Sequence, residues 1–246
     1  NLVARVSDYH FELANWMKQH VATIKATDAG EWRAICEDIA AAGFKGIEVW
    51  EAHASPQTLD SKAKAAEWGR IMKETGLEPV AYAGTLSRDT LQISEWLEIP
   101  HVDGQLGALS PDDATKLCAE FEIGFNLENH PQKTTAEILK PIGGGNEWLG
   151  VCIDTGWLGT QGAPGPKIIE ECGDLVRHTH IKDVKAAGGH ETVLLGEGVV
   201  DPGACIQALK GIGYEGWYSW EDEPENRNPM DSAERNRLWI EERVTA

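Results

Sequence analysis

Short apolar runs of strand length recur along this chain, each followed by a polar loop and then by apolar positions at helical spacing. Such runs cover residues 2–7, 46–51, 77–83, 101–107, 123–128, 150–154, 175–181 and 216–221. Helical patterns lie between them, at 11–24, 29–42, 55–75, 90–97, 110–122, 134–142, 166–172, 203–210 and 230–244. Their punctuation is regular. Ser55 and Pro56 precede a helix stopped by Gly76, Gly43 stops the one before it, and Ser110 with Pro111 opens another.

Strands that alternate with helices predict a parallel sheet, and strands this apolar are expected to be covered on both faces. Eight strands over 246 residues predict closure into a single (β/α)8 TIM barrel, with residues 1–246 as one domain. A doubly wound open sheet fits less well, because no Gly-x-Gly-x-x-Gly follows the first strand.

Composition narrows the setting. Hydrophobic residues make up 41% of the chain, yet none of the apolar runs approaches the ~18 residues of a membrane span. The opening residues lack the charged, apolar and small-residue order of a signal peptide, so a cytoplasmic protein is expected. Cys36, Cys118, Cys152, Cys172 and Cys205 are scattered without Cys-x-x-Cys spacing and read as reduced core residues. A net charge of −18 disfavours nucleic acid and anionic membrane surfaces, since approach is repulsive before any contact forms.

Four of the runs end in a metal-ligating residue: Glu128, Asp154, His180 and Glu221, on strands five to eight. In a barrel the C-terminal strand ends open on one face, so these residues become neighbours. Three carboxylates and an imidazole suit one hard or borderline divalent ion, Mn²⁺ first, then Mg²⁺, with Co²⁺ or Zn²⁺ as alternatives. The competing reading pairs each of them with a nearby Lys or Arg.

Several stretches carry a resemblance: Gly43–Phe44–Lys45–Gly46–Ile47–Glu48, Glu128–Asn129–His130–Pro131, Cys152–Ile153–Asp154–Thr155–Gly156, His178–Thr179–His180–Ile181–Lys182–Asp183, Leu195–Gly196–Glu197–Gly198 and Ile212–Gly213–Tyr214–Glu215–Gly216–Trp217. Together they resemble the xylose isomerase-like barrel superfamily, and within it the sugar phosphate isomerase/epimerase and inosose dehydratase branch. The resemblance implies that Glu128, Asp154, His180 and Glu221 hold one divalent metal, and that the chemistry occurs at a carbon next to a carbonyl. An ion chelated by a ketone oxygen and a neighbouring hydroxyl stabilises the enediolate left when the α-proton departs. Glu128, His130 or Glu221 then serves as the base.

Period-two alternation puts His130 on the face of Glu128 if the strand continues that far. His178 lies one layer below His180, where such residues orient ligands, and it stands with Trp157 and Trp50 on the substrate side. Lys182 either faces a developing oxyanion or pairs with Asp183 or Glu221. Trp50, Trp157 and Trp220 fall at strand ends, where an aromatic wall suits the apolar face of a sugar.

Two positions depart from the sugar epimerases of this superfamily. Trp157 stands where they carry a histidine three residues after the metal-binding aspartate, and residues 183–189 lack their arginine. The runner-up is therefore a lyase of the same mechanism, an inosose-type dehydratase or a C-glycoside deglycosidase subunit working with a small partner subunit. A non-catalytic sugar-binding barrel is the reading from a different class. The endonuclease members of the superfamily need more histidine ligands and a basic surface. Family habit points to an oligomer assembled through the helical face, and loops 157–166 and 222–229 are expected beside the mouth.

Overall fold

A computed structural model describes residues 16–224 and 227–246. Two helices come first, α1 (Trp16–Ala26) and α2 (Ala29–Ala41). There follow β1 (Gly46–Trp50), α3 (Lys62–Thr75), β2 (Glu78–Thr85), α4 (Arg88–Trp96), β3 (His101–Gln105), α5 (Pro111–Phe121), β4 (Gly124–Glu128) and α6 (Thr135–Leu139). The second half runs β5 (Leu149–Asp154), α7 (Thr155–Thr160), α8 (Gly165–Cys172), β6 (Val176–Ile181), β7 (Asp183–Val184), β8 (Thr192–Val193), α9 (Pro202–Gly211), β9 (Ser219–Trp220) and α10 (Met230–Thr245).

The described residues form a seven-stranded parallel sheet in the order β1-β2-β3-β4-β5-β6-β9, with helices between the strands: a nearly closed TIM barrel. The strand expected over residues 2–7 lies outside the described residues, as does the start of the helix expected over 11–24. Phe44, just before β1, stacks on Trp220 of β9 with centroids 5.9 Å apart, which brings the two ends of the sheet together. No helix among the described residues is long and apolar enough to cross a membrane.

Strand pleat decides what faces where. Ile47, Val49, Val102, Phe125, Leu127, Val151 and Ile153 are buried in one continuous apolar core. The alternate positions point into the barrel, and there the expectation of near-continuously apolar strands is corrected. Glu48 on β1 meets His178 and His180 on β6, strands that are not neighbours in the sheet, so the contact crosses the lumen. Asp103 on β3 accepts from Asn126 on β4 at 2.7 Å and lies 3.0 Å from His101. Barrels of this type ordinarily fill that space with branched apolar side chains. Here hydrogen bonding replaces much of that packing, as buried polar groups require.

Helix boundaries follow local chemistry. Ser110 caps α5 with Pro111 in its first turn, as expected. Residues 55–61 do not join α3: Ser55 O accepts the amides of Thr58 and Leu59 in a single turn, and Ser61 is the cap. That turn buries Leu59 at 1% exposure, a contact that a helix begun at Ser55 would have to redirect. Two short elements lack any signal in the apolar pattern, the helix α7 directly after β5 and the antiparallel pair β7–β8.

Candidate metal centre at the barrel mouth

Glu128 ends β4, Asp154 ends β5, His180 lies on β6, and Glu221 follows β9. One ligand atom from each lies within 4.8 Å of the others. His180 Nδ1 is the hub, 2.8 Å from Glu221 Oε2, 3.2 Å from Glu128 Oε1 and 4.0 Å from Asp154 Oδ2. Asp154 is fully buried and His180 nearly so. Three carboxylates crowded against one imidazole is a donor set that fits a divalent cation.

The electrostatics reflect that crowding. Burial, reinforced by Glu221 and Glu128, pushes the Asp154 carboxyl up to about 7, against the pull of Lys182. Burial would lower the His180 imidazole, but Cys152, Glu48 and Glu221 overcome it and hold the group well above its ordinary range. A cation held at this point would relieve the mutual repulsion of the carboxylates.

Supporting residues explain the flanking motifs. Glu48 lies 2.9 and 3.0 Å from His180 Nε2 through its two oxygens, which turns Nδ1 toward the other three side chains. The Asn129 side chain bonds both ways to the Asp154 backbone, donating at 2.9 Å and accepting at 2.8 Å, and so extends the β4–β5 ladder by one step. Asp154 Oδ1 accepts the Trp157 amide as the N-cap of α7. Thr155 Oγ1 donates to the Lys182 carbonyl at 2.7 Å. A Cβ on Gly156 would come within 2.5 Å of the Lys182 side chain, so glycine gives that lysine its path along α7.

Lys182 is 3% exposed, with Nζ 3.0 Å from Glu221, 3.4 Å from Asp154 and 2.5 Å from Glu223. Burial opposes its charge, yet the three carboxylates raise its affinity for a proton well above the ordinary value. It does not pair with Asp183. That carboxylate accepts the amides of Val184, Gly196, Gly198 and Val200 at 2.9–3.1 Å, and it anchors the Leu195–Gly196–Glu197–Gly198 loop. Gly198 is required there, because a Cβ would sit 2.2 Å from Asp183 Oδ1.

His130 reaches the mouth by another route than strand continuation. β4 ends at Glu128, and the His130 amide turns back to the Glu128 carbonyl at 2.9 Å. The exposed His130 residue lines the same cavity as Glu128, His180, Glu221, Trp157 and Trp50. Its ring stacks on Trp157 at 3.5 Å, and the exposed His190 meets the other ring edge-on at 5.0 Å. Desolvation lowers the His130 proton affinity, with Lys182 adding to the effect and Glu128 and Glu221 opposing it. The ring is therefore suited to be neutral and proton-accepting at physiological pH.

Trp50 is half-buried and meets the rings of His20 and His53 edge-on. His178 sits one layer down, fully buried, 3.1 Å from Glu48 and 2.9 Å from Ser219 Oγ. With no exposed surface to offer a substrate, it supports Glu48. Glu48, Asn129 and Glu223 are site residues that the strand-end pattern did not single out. Only the repeated Glu-x-Glu at 221–223 and the positions of Glu48 and Asn129 in their motifs gave any signal.

Inosose dehydratase from Clostridium beijerinckii is 27% identical to this chain over 170 residues, 61% of the chain and 55% of that protein. The chain spans about half the length of the curated relatives it matches, 53–55%. Among solved structures, L-ribulose 3-epimerase superposes with a TM-score of 0.70 at 20% identity, over 89% of this chain and 91% of that one. The IOLI protein, solved with a bound zinc atom, gives 0.67 at 16% identity, over 91% and 95%. Residues 110–243, more than half of the chain, match the model of one family: the protein belongs to the xylose isomerase-like TIM barrels.

Proposed function

We propose that this protein is a divalent-metal-dependent enzyme that removes a proton next to the carbonyl of a keto-sugar, as an isomerase or epimerase does. The convergence of Glu128, Asp154, His180 and Glu221 within 4.8 Å carries this reading. Those four residues would hold the ion, Mn²⁺ first among the candidates. When bound, it supplies a Lewis acid that polarises the carbonyl and offsets the negative charge developing there.

The chain's own groups do the rest. His130 faces the cavity with a depressed proton affinity and acts as base, while Glu128 and Glu221 line the same cavity as carboxylates able to move a proton between neighbouring positions. Trp157, backed by His130, offers a flat apolar surface to a sugar ring.

Elimination is the second reading, and a specific contact favours it. Buried Lys182 donates to Glu221 and to half-buried Glu223, whose carboxyl burial raises above its ordinary range, so Glu223 would be the proton source for a departing hydroxyl. The curated relatives named dehydratases agree with it. Both readings share the α-proton step.

Incubation of the Mn²⁺-loaded protein with 2- and 3-keto sugars, aromatic C-glycosides among them, in heavy water tests that step. Deuterium is expected at the α-carbon of at least one of them. No incorporation into any of them, by a protein that binds Mn²⁺ stoichiometrically, would overturn the proposal. Product analysis then separates isomerisation from elimination.

A further inference from the structure

Below the mouth, on the floor of the lumen, a second group of ligand-type side chains converges from β3 and β6. His101 and Asp103 are two residues apart on β3 and share its inward face, while His178 meets them from β6 with its ring centroid 5.2 Å from that of His101. One ligand atom of each lies within 4.8 Å of the others. His101 Nδ1 is 3.0 Å from Asp103 Oδ1, His178 Nε2 is 3.7 Å from Asp103 Oδ2, and Glu48 Oε2 stands 3.1 Å from His178 Nε2. Atoms bound to one tetrahedral ion at ~2.0–2.1 Å lie about 3.3 Å from one another, so shifts of a few tenths of an ångström turn these separations into a coordination sphere.

The group holds more lone pairs than protons. Asp103 and His178 are 1% and 0% exposed, and neither Asp103 Oδ2 nor His178 Nδ1 has a hydrogen-bond partner among the described residues. Asn126 Oδ1 beside them is buried and unpartnered too, because the Asn126 amide nitrogen is turned to Asp103 Oδ1 at 2.7 Å. Buried lone pairs gathered in this way are costly unless a cation or a water takes them up. Arg177, next to His178 in the chain, spends its guanidinium on the carbonyls of Asn146 and Glu147 at 2.6 and 2.9 Å. A way in exists from both ends: the His101 side chain is 18% exposed at the start of β3, and Asp103 and Glu48 line the cavity that opens at the mouth.

We propose that His101, Asp103 and His178 form a second cation site, for Zn²⁺, distinct from the group at the mouth. Donor chemistry separates the two. Three carboxylates and one imidazole at the mouth suit Mn²⁺, whereas two imidazoles and one carboxylate on the floor suit Zn²⁺. An ion held there would tie β3 to β6, strands that are not neighbours in the sheet, and so brace the barrel across its lumen. The floor site does not depend on the reaction proposed for the mouth.

Elemental analysis of the full chain, stripped of metal, titrated with Zn²⁺ and freed of excess ion, tests it. Wild type is expected to retain two equivalents of Zn²⁺, Glu221→Gln one, and the Glu221→Gln/His101→Gln double variant none. His101→Gln alone should still bind one equivalent of Mn²⁺, because the mouth group is untouched. Zn²⁺ should raise the melting temperature of Glu221→Gln by several degrees and leave that of the double variant where it was. Asp103→Asn, which keeps Oδ1 as the acceptor for Asn126, takes the place of His101→Gln if the latter does not fold.

Equal Zn²⁺ retention by Glu221→Gln and by the double variant overturns the proposal, as does a single equivalent in wild type that Glu221→Gln loses. Either result makes the floor a hydrogen-bonded layer completed by water. The heavy-water assay keeps the two proposals apart. Deuteration by a wild type that holds one equivalent of Zn²⁺ removes the floor site and leaves the reaction. Two equivalents without deuteration of any substrate remove the reaction and leave the floor site.

Discussion

From β4 to β9 the strand ends gather Glu128, Asp154, His180 and Glu221, three carboxylates crowded on one imidazole, whereas from β1 to β3 they present Glu51, which accepts the Thr85 amide, and Gln105, whose Nε2 is unpartnered. The barrel geometry is the same on both sides. On the first side three carboxylates share one imidazole, and on the second Gln105 Nε2 is buried without a partner. The two sides can differ this much because each strand contributes one rim position independently of its neighbours.

The comparison breaks first at the metal half. Glu221→Gln should abolish stoichiometric Mn²⁺ binding, read by elemental analysis, and should lower α-proton exchange by about a thousandfold. If the metal is lost and exchange persists, the ion has no part in the proton step. Next in size is His130→Gln, for which exchange should fall roughly a hundredfold while metal content stays at wild-type level. A parallel loss of metal would make His130 a ligand.

Glu48→Gln probes the support of His180. Metal affinity is expected to weaken roughly 10- to 100-fold, and calorimetric titration reads this directly. An unchanged affinity would leave the lumen network without a role in the site. Acidity provides a graded version of the same test. The His180 imidazole keeps its proton above the usual range, so an incoming ion competes with that proton, and apparent affinity should rise as pH rises through neutrality.

The remaining effect is on stability rather than on the site, and belongs to the β1 side. His53 is buried, hydrogen-bonded to Thr27, and lowered from 6.5 to about 3 by desolvation. Its unfolded form binds a proton that the folded form refuses, so its contribution to stability is complete above pH 6.5 and is lost as the pH falls toward 3. Denaturant unfolding of wild type and His53→Asn should therefore diverge least in acid, by an amount on the order of 1–4 kcal/mol relative to pH 7.

Much of this was legible before any coordinates. Strand periodicity, the Ser110–Pro111 start and the Gly76 stop describe local chemistry, and the structure keeps them. The xylose isomerase-like fold also follows from those motifs. The polarity of the lumen did not follow, since Glu48 and His180 are 132 residues apart and neither strand signals the other. Nor did α7: its cap is Asp154, which the strand pattern had already assigned to β5. Lys182 had two prospective partners in Asp183 and Glu221, and only packing shows that Asp183 is committed to four backbone amides.

By itself, the sequence determined which residue types stand at which strand ends, because alternation and punctuation act over a few residues. Tertiary structure alone decided which of the many carboxylates in a chain of net charge −18 converge and which are already satisfied. Convergence depends on the closure of the sheet, which brings β1 across from β6. Satisfaction depends on distances of about 3 Å that no spacing along the chain encodes.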